Sequence, residues 1–474
     1  MQEIEIADRP LEQLLGLVSA ERRRLLEERL ASAGKLLDGR TVWNVNATAH
    51  GGGVAEMLPA LLGYCRGVGL DMRWLVLSGD PDFFAITKRV HNHLHGVSGD
   101  GGPLGEDEHT HFDAVLRSAA NDVSAHVRSG DVVILHDPQT VGLVNAVRAC
   151  GARAVWRCHI GRDDSNDLTD LGWLFLRPYL EEADFFVFSR REYVPDWVPE
   201  ERTRIIAPSI DPFTVKNREL APASVSGALT QARLVASDAV GGDASFRRED
   251  GSTEQVRAHR DLIYGGGPAP SSDAKLVIQV SRWDRLKDMA GVLSGFVKAV
   301  DELPNGSHLM LVGPEVAGVS DDPEGAEVYA ECQQQWRELP EEMQQRVHLV
   351  CLPMDDGEEN AHLVNALQHH ATVVVQKSLV EGFGLTVTEA MWKGRPLVAS
   401  AIGGIPDQIE DGRDGLLLND PEDLGEFGSA LAKVLHDHES AARLGKAAKA
   451  RVREGFLPDR HLLQYLEMLD ALVT

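Results

Sequence analysis

Two glutamates flank a glycine-spaced turn in the second half of the sequence. The stretch Leu379 to Met391 reads LVEGFGLTVTEAM and follows an apolar run, TVVVQ. Glu381 lies where this predicted strand meets the turn, and Glu389 lies in the predicted helix beyond it. Glycines let a turn direct its backbone amides toward a ligand, and such amides attract anions. Two acids here indicate either capping of a helix, or a ligand whose anionic part binds the amides while its neutral hydroxyls bind the carboxylates.

The capping alternative applies to only one of the two acids. Thr386 to Glu389 fits the capping-box pattern S/T-x-x-E, in which the acid satisfies backbone amides at a helix start. Glu381 precedes that pattern and has no comparable structural reason for its position. A structural and a ligand-binding role both stay open for this turn from its pattern alone.

Two cations follow another predicted strand. The segment SRWDRLKD, Ser281 to Asp288, places Arg282 and Lys287 just past the strand end. A guanidinium can bind two phosphate oxygens at once, and an ammonium adds a compact point charge. The pattern indicates either an anion-binding loop or a solvated loop with surface cations.

Strand ends in the first half carry a second set of candidates. Gly51 to Gly53 follow a predicted strand and open a helix, where amides can approach an anion or where the chain simply turns tightly. His136 and Asp137 follow the strand DVVILHD, and His159 follows AVWRC. Each histidine by itself is compatible with a buried structural role, but both strand ends are expected at one edge of the same sheet.

The composition excludes several classes of protein. The chain has 474 residues with 43% hydrophobic and 25% charged residues, and a formal net charge of −26. Such a charge argues against a nucleic-acid or anionic-membrane surface. No apolar run approaches the roughly 18 residues of a membrane span, and the acidic N-terminus is unlike a signal peptide. Five scattered cysteines without C-x-x-C predict reduced thiols and a cytoplasmic protein.

The sequence offers no set of metal ligands. No His/Cys pair has zinc spacing, and Asp163 to Asp170 reads as a loop and helix cap. We therefore predict no metal and no other cofactor, with Mg²⁺ not required. The absence of G-x-S-x-G makes a serine hydrolase improbable on sequence grounds.

Short apolar runs alternate with helical patterns in both halves, which predicts parallel strands joined by helical crossovers. The predicted strands are 41–46, 74–78, 131–137, 154–160, 184–189 and 204–209, then 275–281, 308–313, 347–353, 372–378, 396–400 and 415–419. A helix is predicted over residues 10–38. In doubly wound sheets of this kind, ligands bind at the carboxyl ends of the strands.

The predicted fold class is α/β with two doubly wound, Rossmann-like domains facing each other across a cleft. The N-terminal domain is expected at 1–218 and the C-terminal domain at 274–455. Residues 219–273, rich in Ala, Ser, Gly and charge, are expected to form a low-complexity insertion or linker. A C-terminal helix is expected at 456–474, crossing back to the N-terminal domain.

Together these segments resemble the retaining GT-B glycosyltransferases of glycosyltransferase family 4, and among them the enzymes that make or cleave trehalose. EGFGLTVTEA, from Glu381 to Ala390, is similar to the family signature of two glutamates around a glycine-containing turn. The segment from Leu220 to Asp273 departs from the resemblance. The other segments that carry it lie in both halves: VNATAHGGGVAEML, DPDFFAITKRVHNHLHG, LHDPQT, VWRCHIG, PSIDPFTVKN, SRWDRLKD and DDPEG.

The resemblance implies roles for the candidates in the second half. Arg282 and Lys287 would bind the donor diphosphate, Glu381 hydroxyls of the transferred glucose, and Glu389 the ribose hydroxyls. The remaining donor contacts would come from the backbone amides of Phe383, Gly384 and Leu385.

The same resemblance implies roles for the first half. Gly52 and Gly53 would approach the phosphates, and His159 and Asp137, with His136 nearby, would line the pocket for glucose and the acceptor. Loops such as Leu352 to Glu358 would read the nucleobase, whose identity the sequence leaves open.

The implied activity is reversible formation of trehalose from ADP- or UDP-glucose and free glucose, with retention at the anomeric carbon. Trehalose phosphorolysis, or transfer to another small sugar or polyol, is the alternative within the family. A nucleotide-sugar-binding protein without transfer activity is the alternative from another class. Partners would be the sugar nucleotide and glucose or trehalose, and the sequence leaves a homodimer open.

Overall fold

The computed structural model describes residues 1–49, 52–236, 242–316 and 323–473. The chain forms two compact units, unit 1 with Met1–Ser209 and Phe456–Thr474, and unit 2 with Ile210–Gly455. Unit 1 thus ends at 209 rather than at the expected 218. The physical reason is that the following residues are bonded within unit 2, where Asn365 Nδ2 donates to the carbonyl of Val215 at 2.9 Å.

In the described part of unit 1, seven strands form one sheet in the order β1-β3-β2-β4-β5-β6-β7. All neighbours pair in parallel except β1, an unpredicted edge strand that pairs antiparallel with β3. Every residue of β2 and β4 is buried, as expected for parallel strands covered by helices on both faces. The strands are β1 Gln2–Ile4, β2 Val42–Asn46, β3 Met72–Val76, β4 Val132–His136, β5 Arg153–Cys158, β6 Phe185–Phe188 and β7 Thr203–Ile205.

The predicted helix at 10–38 is two helices in the structure. The chain turns between them, and the Ser19 hydroxyl accepts from the Arg22 amide to start the second helix. Unit 1 contains α1 Leu11–Leu15, α2 Ala20–Leu36, α3 Gly53–Gly67, α4 Pro81–Leu94, α5 Glu106–His126, α6 Asp137–Thr140, α7 Val144–Ala149 and α8 Asp167–Leu180.

In the described part of unit 2, six parallel strands form a sheet in the order β12-β11-β10-β13-β14-β15, beside a two-stranded antiparallel hairpin, β8-β9. Each of the twelve strands that the sequence predicts overlaps an observed strand of one of the two large sheets. The strands are β8 Ser245–Arg247, β9 Thr253–Gln255, β10 Lys275–Val280, β11 Ser307–Pro314, β12 Val347–Leu352, β13 Val373–Gln376, β14 Leu397–Ser400 and β15 Leu416–Leu418.

Helices flank this sheet, and a final helix groups with unit 1. No helix among the described residues is both long and apolar enough to span a membrane. The helices are α9 Pro222–Gln231, α10 Met289–Ala299, α11 Pro323–Glu338, α12 Glu341–Gln344, α13 Gly357–His370, α14 Leu385–Trp392, α15 Ile405–Gln408, α16 Leu424–His436, α17 His438–Gly455 and α18 Pro458–Val473.

In the expected low-complexity linker at 219–273, the described residues 219–236 and 242–273 are instead a folded part of unit 2. They contain α9 and the β8-β9 hairpin, and the buried ring of Phe246 stacks on His362 with centroids 5.1 Å apart. Further along, the amide of Cys351 in β12 donates to the carbonyl of Leu262 at 3.1 Å. The prediction of a linker was based on low sequence complexity and was wrong. A few buried side chains and ion pairs are sufficient to order the described part of this segment.

Candidate active site

The candidates of unit 2 meet where the strand order of its sheet changes direction. β10 pairs with β11 on one side and with β13 on the other, so the loops that follow β10 and β13 leave the sheet side by side. The two loops are joined directly, because the amide of Leu379 donates to the carbonyl of Leu286 at 2.8 Å. Such a switch point is the expected ligand site of a doubly wound sheet.

Lys287 and Glu381 form an ion pair across these loops. The Lys287 ammonium donates to Glu381 Oε2 at 2.8 Å, and the Ser378 hydroxyl donates to the same oxygen at 3.2 Å. Both side chains are largely buried, with exposed fractions of 18% and 10%. A cation and a carboxylate from different loops are therefore held at one point of the sheet edge.

Arg282 lies at the same edge and is more open to solvent. Its Nη2 donates to Asp284 Oδ2 at 2.7 Å, and 54% of its side chain is exposed. The buried Asp284 also accepts from the amide of Leu286 at 2.9 Å, which fixes the shape of the loop. An anchored but exposed guanidinium is suited to bind an anion that arrives from solvent.

The glycine turn after β13 starts α14. Gly384 adopts φ +84° and precedes the helix, in a left-handed conformation that glycine tolerates best. Two contacts fix the turn, from the Gly404 amide to the Gly382 carbonyl at 3.0 Å and from Gln408 Nε2 to the Phe383 carbonyl. Since the first amides of a helix have no acceptor within it, the amide of Leu385 is positioned for an anion.

The capping-box alternative for Glu389 is wrong. Thr386 lies inside α14, and its hydroxyl donates to Gln376 Oε1 at 2.9 Å rather than capping the helix. Glu389 instead pairs with Lys216, whose ammonium lies 3.0 Å from Glu389 Oε1. The carboxylate is 2% exposed, and its charge also interacts with the buried Lys393.

Lys216 belongs to a segment that the sequence analysis did not connect with α14. The Trp392 indole donates to the carbonyl of Asn217 at 3.0 Å, and Lys393 Nζ donates to the carbonyl of Lys216 at 2.9 Å and to Asn217 Oδ1 at 2.8 Å. Burial lowers the pKa of Lys393 to about 7, against the opposing attraction of Glu389. The sequence signal for Lys216 is that it lies in PSIDPFTVKN, one of the segments that carry the family resemblance.

Lys377 is a second residue that the sequence analysis missed. It directly follows β13, is almost fully buried, and contacts the carboxylate of Asp288 at the start of α10. The Gln279 side chain accepts from the Lys377 amide at 3.0 Å and donates to the Lys287 carbonyl at 2.6 Å. These contacts hold the loop that carries Lys287 in place. The sequence signal that could have identified Lys377 is its position as a lysine at the end of a predicted strand.

The candidates of unit 1 lie at the carboxyl ends of β2, β4 and β5, which are neighbours in the sheet. Gly52 adopts φ +88° and precedes α3, which begins at Gly53. A side chain at Gly52 would point into open space. Gly51, and Asp321 and Asp322 of the DDPEG segment, lie outside the described residues.

Two histidines, the buried His136 and the half-buried His159, form one hydrogen-bonded chain in unit 1. His136 Nδ1 lies 3.1 Å from His159 Nε2 with the rings stacked, and His136 Nε2 lies 3.0 Å from Asn44 Oδ1. Burial, and then the charge of the nearby Arg157, hold the pKa of both imidazoles well below its usual value. Both rings are therefore neutral near pH 7 and can exchange hydrogen bonds with hydroxyl groups.

Asp137 occupies a strained backbone position between the two histidines. Its φ of +62° is rare for a residue with a side chain, and such outliers cluster at functional sites. Its Oδ1 accepts from the His159 amide at 2.8 Å. Burial raises the pKa of the Asp137 carboxyl to about 7, although that amide and Arg157 act in the opposite direction.

The predicted residues thus form two sets with different chemistry. The set in unit 2 combines cations, backbone amides and carboxylates, which suits an anionic ligand that also bears hydroxyls. The set in unit 1 consists of two neutral imidazoles and a carboxyl with a pKa of about 7, which suits an uncharged polyhydroxyl ligand. The role of each residue stays a prediction.

Known proteins resemble the chain along nearly its whole length. The family description "Trehalose synthase, N-terminal domain" matches residues 44–195, and "Glycosyl transferases group 1" matches residues 268–451. The trehalose synthase of Thermococcus litoralis is 34% identical over 94% of each chain. The trehalose phosphorylase of Pleurotus sajor-caju is 28% identical over 78% of this chain and 50% of its own length.

Solved structures support the fold. A trehalose-6-phosphate synthase superposes with a TM-score of 0.68 at 12% identity, over 91% of this chain and 99% of its own. The Anabaena protein HepE, in complex with UDP-glucose, superposes with a TM-score of 0.59 at 14% identity, over 91% of this chain and all of its own. The chain therefore belongs to the trehalose synthase family, and it is a hexosyltransferase of the GT-B fold that acts in trehalose-related glycosyl transfer.

Proposed function

We propose that this enzyme makes trehalose by transferring glucose from ADP- or UDP-glucose to free glucose, with retention at the anomeric carbon, and that the reaction is reversible. The observation that carries the proposal is the Lys287–Glu381 pair at the β10–β13 switch point. It places a cation for a diphosphate beside a carboxylate for sugar hydroxyls. HepE, a protein of the same fold, was solved with UDP-glucose, which supports a sugar nucleotide as donor.

The charges explain how the anionic donor would bind next to two acids. Its diphosphate binds Arg282, Lys287 and the amides at the start of α14, which neutralise it. The sugar hydroxyls donate to Glu381, and the ribose hydroxyls donate to Glu389. Each carboxylate thereby faces a hydroxyl donor instead of a phosphate oxygen.

The chemical step breaks the bond between the glucose anomeric carbon and the diphosphate oxygen. A hydroxyl of the acceptor glucose forms the new bond on the same face, and its proton passes to an oxygen of the leaving diphosphate. Negative charge grows on the diphosphate as its bond breaks, so preorganised cations stabilise the transition state more than the ground state. His136, Asp137 and His159 bind and orient the acceptor by hydrogen bonds.

No metal cofactor is part of this proposal, because Arg282, Lys287 and helix amides supply the positive charge at the diphosphate. Activity that survives EDTA, and is not raised by added Mg²⁺, is expected. Activity that requires a divalent cation would contradict this part of the proposal.

Trehalose phosphorolysis is the second candidate, because a trehalose phosphorylase is among the relatives. One experiment separates the two. The enzyme is incubated with glucose and each of ADP-, UDP- and GDP-glucose, and separately with trehalose and inorganic phosphate. Trehalose plus free nucleoside diphosphate would support the proposal, whereas glucose 1-phosphate from the phosphate reaction alone would favour phosphorolysis.

A further inference from the structure

The β8-β9 hairpin of unit 2 contacts the loop that follows β12. This loop, residues 353–356, joins β12 to α13 and is called the β12 loop here. The hairpin lies in the segment 219–273, to which neither the resemblance nor the proposed reaction gives a role. Two arginines at the ends of the hairpin, Arg248 and Arg257, make the contacts.

Arg257 binds two acids at the β12 loop and the start of α13. Its Nη1 and Nη2 donate to the two carboxylate oxygens of Asp355 at 2.6 and 3.0 Å. Its backbone amide and Nε donate to the two oxygens of Glu359 at 2.6 and 2.5 Å. Glu359 is only 3% exposed, so its charge is compensated by this arginine. Bidentate pairs of this type fix orientation as well as distance.

Arg248 fixes the other end of the β12 loop. Its Nη1 donates to Asp356 Oδ1 at 3.0 Å, and its Nη2 contacts Asp356 Oδ2 and donates to Glu254 at 2.6 Å. The same Asp356 caps α13, where it accepts from the amides of Glu358 and Glu359 at 3.1 Å. Hydrogen bonds from Arg248 lower the pKa of Asp356 to about 2, so the cap stays ionised.

The hairpin is itself a firm support for these arginines. Phe246 is buried against His362 of α13, and the Arg248 guanidinium lies 5.3 Å from the centre of the Phe246 ring. Val256 is 1% exposed, and its amide donates to the carbonyl of Ala244 at 2.9 Å. The arginines therefore extend from a packed element to an otherwise exposed loop.

The β12 loop lies at the same sheet edge as the loop that carries Lys287. β12, β11 and β10 are parallel neighbours, so the two loops are two strand spacings apart, about 10 Å. Within the β12 loop, Met354 is 53% exposed, and the Pro353 carbonyl is fixed by Asn360 Nδ2 at 2.9 Å. An exposed thioether side chain beside an oriented backbone offers a surface on which a planar base can stack.

We infer that the β8-β9 hairpin, through Arg248 and Arg257, positions the β12 loop against the nucleobase of the donor and thereby determines which nucleoside diphosphate-glucose is accepted. The inference rests on the proposed function, since it needs a nucleotide whose diphosphate lies near Lys287. Arg248 and Arg257 act as positioning residues and do not touch the ligand. A preorganised loop discriminates between bases better than a mobile loop, because a mobile loop can adjust its contacts to each base.

Binding of UDP, ADP, GDP and inorganic diphosphate, measured by calorimetry on the full chain, tests the inference. In Arg248→Met/Arg257→Met, the ratio of dissociation constants between the weakest and the tightest nucleotide is expected to fall about tenfold. The dissociation constant of inorganic diphosphate should stay within about twofold, because its ligands lie at β10 and β13. Arg413→Met is the matched control, since it removes an exposed arginine–glutamate pair of the same unit.

Three outcomes overturn the inference. An unchanged nucleotide ratio would show that the hairpin does not govern the base. An equal weakening of all four ligands would show that it only stabilises unit 2. If the wild type binds diphosphate but no nucleotide more tightly, the proposed donor fails and the inference fails with it.

A milder variant covers the case in which the double variant does not fold. Asp355→Asn removes the charge of one partner of Arg257, and the Asp355 side chain is 62% exposed. The pair between Arg257 and Glu359 stays intact. The ratio of dissociation constants between the weakest and the tightest nucleotide is then expected to fall about threefold, because an exposed ion pair contributes little. A folded Asp355→Asn with an unchanged ratio would count against the inference.

Discussion

The two strand-end sites differ in charge and in how their polar groups are held. In unit 2, Lys287 and Glu381 are charged groups compensated by each other. In unit 1, burial lowers the pKa of His136 and His159 well below its usual value, so both are neutral near pH 7, and it raises the pKa of Asp137 to about 7. One fold type thus presents paired opposite charges at the strand ends of one unit and weakly charged hydrogen-bonding groups at the strand ends of the other.

The difference teaches that strand-end geometry alone does not determine the chemistry of a site. Both sites lie at the carboxyl ends of neighbouring parallel strands. What differs is whether another loop supplies an opposite charge, as Ser281–Asp288 does in unit 2, or whether neutral groups surround the site. The following changes test this contrast.

Loss of the Lys287 ammonium should have the largest effect. Lys287→Ala should lower kcat by about 10²-fold or more, because a preorganised charge at the leaving group acts mainly in the transition state. Steady-state kinetics of trehalose formation measure the loss. Arg285→Ala is the control, because this cation of the same loop pairs with Glu327 and Glu331 on the surface. Equal losses in both variants would contradict the assigned role of Lys287.

Asp137→Asn should change the pH dependence of stability. The folded carboxyl has a pKa of about 7, above the usual value of about 3.9, so the folded state retains a proton that the unfolded state releases as pH rises between these values. The wild type therefore loses unfolding free energy from this group between pH 4 and pH 7, and asparagine does not. We expect the variant to gain about 3 kcal/mol relative to wild type over that window.

Urea unfolding of both proteins at pH 4.5 and pH 7.5 checks this expectation. His136 and His159 act in the opposite sense, because the unfolded state binds protons below about pH 6.5 that the buried rings do not. Their contribution is shared by both proteins and cancels in the difference. A difference between variant and wild type that is the same at both pH values would refute the raised pKa of Asp137.

Loss of the Lys216 ammonium should weaken donor binding more than turnover. Lys216→Met removes the cation that pairs with Glu389, so the KM for the sugar nucleotide should rise about tenfold while kcat changes less. With a donor that carries 2′-deoxyribose, the effect should shrink if Glu389 binds the ribose. Lys449→Met is the control, since it removes an exposed pair with Glu219 of the same segment. A purely structural role would affect both donors equally.

Alanine at the two left-handed glycines should have the smallest effects. Gly52→Ala and Gly384→Ala should each lower the unfolding free energy by about 1 kcal/mol, because both positions have positive φ. Only at Gly384 would the new methyl lie 3.3 Å from Glu381 Cγ. Gly384→Ala should therefore also lower kcat/KM more than Gly52→Ala does, as kinetics beside thermal unfolding will show. The reverse order would indicate that the amides at Gly52 contact the donor more closely.

Local patterns predicted most of the fold and placed most of the candidates correctly on strand ends. Apolar runs of five to seven residues predicted the parallel strands of the two large sheets, since a strand that is buried on both faces requires such a run. The prediction failed at residues 219–273, where short strands and a ten-residue helix depend on Phe246 and on ion pairs to the β12 loop. The capping-box alternative for Glu389 also failed, because the pattern does not reveal where a helix begins, while its binding role stays a prediction.

The sequence by itself determined that Arg282, Lys287 and Glu381 follow strands of a doubly wound sheet, because strand ends and turns are encoded locally. Only the tertiary structure decided which groups neutralise or desolvate the candidate side chains and their neighbours. Lys216 forms an ion pair with Glu389, and Asn44 forms a hydrogen bond with His136. Arg157 forms a hydrogen bond with His461, which lies 304 residues further along the chain. Charge compensation and burial depend on distance in space and on exclusion of water, and neither follows from the order of residues in the chain.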